Sequence, residues 1–273
     1  MSTSDFLIAG LRYRLADACA ITRSDLESRL PEFRVEPDGE PDVLLSAERT
    51  PEAPNPDLFG QEAKITREPG GRIAAHRCDF EGFWDAARRE ARCQYTDSIA
   101  SLSSFLRVVS SFALLERGGV LLHASSVASN GRGFVFAGPS GAGKTTLARL
   151  GAPRPVLSDE VAALRPGRPG VGFTSYPTPF WGDMVRVQAG PSAPLAAIGF
   201  PLHAGGAFLR PATSSEALSR LLECVIAFDL RPEEKAGLVD VAAAILRSVP
   251  CLHVEYGLEH PPWDLLDALP SAS

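Results

Sequence analysis

The chain has 273 residues, of which 45% are apolar and 22% charged, and its formal net charge is −6. That balance suits a globular protein with a sizeable core, in one large domain or two small ones, and gives no support for a nucleic-acid or anionic-membrane partner. No apolar run is long enough to cross a bilayer, and Asp5, Arg12 and Arg14 interrupt the place of a signal pattern, so the expected compartment is the cytoplasm.

Residues 1–97 read as a β-rich accessory region. Short apolar runs at Phe6–Ala9, Val43–Leu45 and Arg72–Ala75 predict strands, separated by Pro- and Gly-rich breaks at 37–41 and 51–56. His76 and Cys78 lie two apart, but no third ligand follows, so His76 is expected to be structural. Cys19, Cys78, Cys93, Cys224 and Cys251 show no zinc-ligand spacing and are expected to be reduced.

Residues 98–273 are expected to form one nucleotide-binding domain. A helix is predicted from Ser98 to Arg117, because Leu102, Phe105, Leu106, Val109, Phe112 and Leu115 recur at helical spacing and Gly118-Gly119 ends the run. A buried strand follows at Val120–Val127, then another at Gly133–Ala137, a short helix to Leu150, and an extended stretch from Pro155 to Asp159. Further strands are predicted at Val161–Leu164, Gly172–Tyr176, Met184–Val187, Ala196–Phe200 and Cys251–Tyr256. Thr213 and Glu216 have capping-box spacing ahead of one late helix, and Pro232 with Glu233 and Glu234 suits the first turn of the next.

Gly138-Pro139-Ser140-Gly141-Ala142-Gly143-Lys144-Thr145 matches the phosphate-loop pattern G-x-x-x-x-G-K-[ST], between a predicted strand and a predicted helix. Glycines let the backbone curl with its N–H groups turned inward, where a side chain would block a phosphate. Lys144 is expected to reach the β- and γ-phosphates, Thr145 to ligate magnesium, and Thr146 to continue the cradle from the helix N-terminus. The chain has only three lysines, Lys64, Lys144 and Lys235, so a lysine at this position carries weight.

Asp159 and Glu160 lie fifteen and sixteen residues after Lys144, at the end of the next predicted strand. This reads as a compact β–loop–α–β unit, with the acids at a strand's carboxyl end, where parallel sheets bind ligands. A carboxylate there can hold magnesium or accept a proton from an attacking hydroxyl. His123, one strand earlier, is either a packed core histidine or a polar partner of the γ-phosphate or the acid.

Leu122-His-Ala-Ser, the phosphate loop and Leu157-Ser-Asp-Glu-Val, in that order and spacing, resemble the HPr kinase/phosphorylase family. More closely, they resemble the HPr-kinase-related serine kinases found beside peptide-modifying enzymes, including those acting on lasso-peptide precursors. The resemblance spans roughly residues 98–260. It implies an α/β fold whose P-loop core is of the HPr kinase C-terminal, phosphoenolpyruvate-carboxykinase-like type, with the smaller β-rich N-terminal region attached. It also implies that Lys144 and Thr145 bind phosphates and magnesium, that Asp159 takes or orients the hydroxyl proton beside His123, and that Glu160 assists at the metal. Tyr176–Asp183 would be a substrate-side loop. The family usually carries a second aspartate where this chain has Glu160, and its downstream dephosphorylation signature is not found.

The expected function is an ATP- and Mg²⁺-dependent phosphotransferase acting on a serine or threonine hydroxyl of a small protein or precursor peptide; the sequence is silent on oligomeric state, although the kinases it resembles tend to form homo-oligomers. The alternatives are a small-molecule alcohol or sugar kinase and a nucleotide-sensing partner without transfer activity.

Overall fold

Alternating side chains shape the N-terminal strands: in the strand Val43–Arg49, Val43, Leu45 and Ala47 are buried while Leu44 and Ser46 are less so. The computed structural model describes residues 4–18, 20–51, 62–96, 99–168, 172–182, 184 and 191–270. Cys19, Ser98, Asp183 and most of the strand predicted at Met184–Val187 lie outside them. The chain divides into two compact units, Met1–Ala113 and Leu114–Ser273.

In the first unit β1 (Asp5–Ile8), β2 (Leu11–Ala18), α1 (Ala20–Arg29), β3 (Arg34–Val35), β4 (Val43–Arg49), β5 (Lys64–Arg67), β6 (Ile73–Arg77), β7 (Phe80–Asp85) and β8 (Glu90–Tyr95) precede α2 (Ile99–Leu115). The strands form one sheet in the order β3-β1-β2-β4-β8-β7-β6-β5. The helical stripe predicted before Gly118-Gly119 packs here. Phe105 meets Phe80 edge-on with ring centroids 5.8 Å apart, and Ser110 hydrogen-bonds the Tyr13 hydroxyl at 2.7 Å. Asp5, with no exposed side-chain surface, is held by Arg12 at 3.0 Å and by Arg14 at 2.9 Å. Burial raises the Asp5 carboxyl pKa, but hydrogen bonds and charge from the two arginines outweigh it and the net shift is downward.

The second unit holds β9 (Val120–Ser129), β10 (Arg132–Ala137), α3 (Lys144–Leu150), β11 (Val156–Ser158), β12 (Val161–Pro166), β13 (Phe173–Tyr176) and β14 (Ala193–His203). It is completed by β15 (Phe208–Pro211), α4 (Ser214–Glu223), α5 (Pro232–Ser248), β16 (Cys251–Tyr256) and α6 (Trp263–Asp267). Asn130 and Gly131, both at positive φ (51° and 74°), make the two-residue turn that folds β10 back on β9. β9 also pairs with β12, β12 with β13, and β13 with β14. β14 then runs parallel to β10, which closes a five-stranded ring of β10, β9, β12, β13 and β14.

This architecture corrects the expected α/β P-loop kinase core. The unit is β-rich, with a closed five-stranded barrel and few helices. The β–loop–α–β reading of residues 133–159 assumed that the second strand would lie beside the first. Instead β11 pairs antiparallel with β9, and β9 separates it from β10. The hairpin at Asn130-Gly131 places β9 next to β10 before any crossover can do so, and a two-residue connection permits only the antiparallel partner.

Side-chain alternation divides the core. Val135 and Ala137 of β10 pack with Ala217 and Leu221 of α4 and Ala242 and Ile245 of α5. Phe134 and Phe136 point the other way, to Leu147 and Ala148 of α3 and to Trp263 and Leu266 of α6. Two capping signals in the sequence have counterparts. Thr213 Oγ1 accepts from the Glu216 amide at 3.3 Å, and Pro232 opens α5 while Glu234 accepts from the Arg231 amide at 2.8 Å.

Candidate functional site

The phosphate loop leaves β10 at Gly138 and enters α3 at Lys144. Gly143 stands at the turn with φ 95°, and its carbonyl accepts hydrogen bonds from the Leu147 amide at 2.9 Å and the Tyr256 hydroxyl at 3.1 Å. A Cβ at this position would run into that hydroxyl, so the loop needs glycine here for both conformation and space. The Ala142 amide bonds the Pro139 carbonyl at 3.2 Å, tightening the curl, and the Ser125 hydroxyl fixes the Lys144 carbonyl from β9 at 2.9 Å.

The Lys144 side chain is 6% exposed and folds back across the loop, its Nζ donating to the Gly138 and Pro139 carbonyls at 2.8 Å each. Burial lowers its pKa, and the fields of Cys224 and Glu160 act in the opposite sense.

Beside the loop opens a cavity of about 370 Å³. Its walls bring together most of the residues singled out from the sequence: Ser140, Gly141, Gly143, Lys144, Thr145 and Thr146 from the loop, His123 from β9, and Asp159 and Glu160 from the turn between β11 and β12. Gly138 and Pro139 instead line a neighbouring cavity, which also touches His123. His123 and Glu160 share an origin in strand pairing: His123 is in register with Val161, and the Ala124 amide donates to the Glu160 carbonyl at 2.9 Å.

Asp159 is 2% exposed. Its Oδ1 accepts from the Gly182 amide at 3.0 Å and its Oδ2 from the Met184 amide at 2.8 Å. The carboxylate therefore has a holding role toward Gly182 and Met184 that sequence reasoning did not assign. Of the Tyr176–Asp183 stretch, Thr178 is anchored by its hydroxyl to the Val161 carbonyl at 2.6 Å, Phe180 is fully buried, and Gly182 reaches the cavity wall. Trp181 packs against the cluster around α3.

Two residues of the cavity wall went unread in the sequence. Arg149 of α3 and His203 line the wall, and the His203 ring lies against Tyr256 with centroids 5.0 Å apart. His203 and Tyr256 end β14 and β16, parallel neighbours in which the two residues are in register. β10 is parallel to β14, so these strand ends open on the same side as the phosphate loop. Finding them requires the parallel pairing of strands far apart in sequence, which no local pattern encodes.

Among the described residues no group of three or more His, Cys, Asp or Glu side chains is placed to hold a metal ion. Magnesium does not require such a cage, since it is commonly bound through one or two carboxylates together with substrate phosphates. The oxygen donors of Thr145, Asp159 and Glu160 suit that hard cation. Thr145 Oγ1 already lies 3.5 Å from the Asp159 carbonyl, which places it at the same wall.

A phosphate-loop cavity at the open end of a β-barrel unit is thus the class of site that the geometry defines. A family model described as SynChlorMet cassette protein ScmC matches residues 92–222, just under half of the chain. The matched stretch contains His123, the phosphate loop, Asp159 and Glu160. That match is to ScmC and not to an HPr kinase family, which corrects the HPr kinase resemblance read from the motif order. No curated protein shows a significant match to the chain.

Proposed function

We infer that the second unit binds a nucleoside triphosphate with magnesium and transfers its terminal phosphoryl group to a serine or threonine hydroxyl of a peptide or small protein. One observation carries the reading: a single cavity is lined both by Ser140, Gly141 and Gly143 to Thr146 of the loop and by Asp159, Glu160 and His123. Backbone amides of the loop and Lys144 hold the phosphates, and Thr145 and Glu160, with Asp159, hold the cation, which supplies charge neutralisation at the phosphates. The Lys144 Nζ donates two of its three protons to the Gly138 and Pro139 carbonyls and keeps the third for a phosphate oxygen. The hydroxyl oxygen bonds to the γ-phosphorus as the bond to the bridging oxygen breaks. ADP leaves with that electron pair, and the hydroxyl proton passes to the Asp159 carboxylate. The cytoplasm suits this chemistry, and Cys78, Cys93, Cys224 and Cys251, which form no disulfides, are compatible with it. No helix of the described residues is long and apolar enough to cross a membrane.

A second reading has its own support. Because both Asp159 oxygens accept backbone amides, that residue also fits a loop latch in a nucleotide-responsive protein without transfer activity. Labelled ATP and serine peptides separate the two. Under the transfer reading, Asp159→Asn keeps nucleotide affinity within about tenfold and loses turnover by ~10²-fold or more. Wild-type protein that binds nucleotide and labels no serine peptide would remove the peptide-transfer reading.

A further inference from the structure

The second cavity, about 610 Å³, is of a size typical of ligand sites and adjoins the phosphate site through His123, which lines both. Its walls include Gly138 and Pro139 of the loop and Glu216, Ser219, Arg220 and Glu223 of α4. The direction in which a triphosphate lies on the loop decides what this space is for. In phosphate loops the lysine reaches the β- and γ-phosphates, while the helix start lies toward the rest of the nucleotide. Here the Lys144 Nζ sits on the carbonyls of Gly138 and Pro139, the two loop residues that face the second cavity. The terminal phosphate therefore points toward that cavity, and the nucleoside away from it, toward Thr146, Arg149 and His203 in the first.

The charges on α4 narrow the occupant. Glu216 is engaged by Arg220 at 3.2 Å and by His253 at 3.1 Å, whereas Glu223 accepts from a neutral group, the Ser219 hydroxyl, at 3.3 Å. The α4 wall of the cavity thus carries two carboxylates against the one guanidinium of Arg220, an excess that a cationic side chain complements. We propose that the second cavity is the acceptor subsite, taking a peptide that presents its serine or threonine hydroxyl past His123 and a lysine or arginine to Glu223. This rests on the transfer reading above and adds to it where the acceptor enters and which flanking residue it carries.

The test uses the full chain, a fluorescent ATP analogue for binding, and labelled ATP with serine-centred peptides whose flanking positions carry Lys, Arg, Ala or Glu. Two variants are compared with wild type: Ser219→Trp, which fills the mouth from an exposed helical position, and Glu223→Lys. Wild type is expected to label Lys- and Arg-flanked peptides in preference to Glu-flanked ones. Ser219→Trp should keep nucleotide affinity within about threefold and lose peptide labelling by about tenfold or more, and Glu223→Lys should reverse the flanking preference. Loss of nucleotide affinity in Ser219→Trp would make the cavity a nucleoside site and overturn the proposal. Labelling with no flanking preference, or one unchanged by Glu223→Lys, would also overturn it. Nucleotide binding without peptide labelling removes the peptide acceptor and leaves the nucleotide site standing. Wild type that binds no nucleotide removes both.

Discussion

Replacing Gly143 by alanine strikes the phosphate loop at its most constrained residue. Its φ of 95° costs an L-residue about 1–2 kcal/mol. The new Cβ would also collide with the Tyr256 hydroxyl and approach His203 Nε2 at 3.1 Å. Moving the tyrosine aside loses its hydrogen bond to the Gly143 carbonyl, worth about 1 kcal/mol. The combined cost is about 3 kcal/mol, and for a unit of this size that lowers Tm by about 6–12 °C. Thermal unfolding followed by near-ultraviolet circular dichroism reads the shift, and titration with Mg-ATP reads the loop. The steric part is separable: in Gly143→Ala/Tyr256→Phe the colliding oxygen is gone, so the double variant should unfold above Gly143→Ala although Tyr256→Phe alone destabilises. An alanine variant within about 2 °C of wild type and equal to it in nucleotide affinity would refute this account of the loop.

In the first unit, Asp5→Asn should cost about 2 kcal/mol at pH 7, because it leaves Arg12 and Arg14 without their carboxylate. The folded pKa of Asp5 is below its ordinary value of 3.8, so this stabilisation is present above that pH and lost as pH falls through the folded pKa. Urea unfolding should therefore show the gap between wild type and variant closing in strong acid, and a constant gap would contradict the pairing. Trp263→Ala should cost about 3–5 kcal/mol, since the ring packs edge-on to Phe134 and Phe136 at 6.2 and 5.7 Å and carries Arg154 at 4.8 Å. A loss under 1 kcal/mol in the same assay would show α6 to be dispensable.

The residues that line the candidate site were more legible than the topology, for reasons visible in particular residues. The phosphate loop, the acids after β11 and the histidine in β9 are local signals whose chemistry dictates residue types, and one cavity gathers most of them. The helix ending at Gly118-Gly119 and the caps at Thr213 and Pro232 were readable because they depend on neighbours a few residues away. The topology was not: the order strand, helix, strand around Lys144 suggested a crossover between adjacent strands. The Asn130-Gly131 pair between two apolar runs was the local signal for a hairpin, and it fixes β9 beside β10. The barrel closure between β10 and β14 and the placing of His203 and Tyr256 rest on contacts between distant segments, which leave no trace in periodicity. Asp159 shows a different limit. Its type and position suggested chemistry, while its bonds to the Gly182 and Met184 amides exist only in three dimensions.

Calorimetric titration of the whole chain with ATP in magnesium, repeated on Lys144→Met, bears most directly on whether residues 138–146 are a triphosphate site. Wild type should bind with one-to-one stoichiometry, and the variant at least about a hundredfold more weakly, the scale of losing a charge-assisted contact in a buried site. No heat of binding in wild type, or equal affinity in the two proteins, would contradict the account.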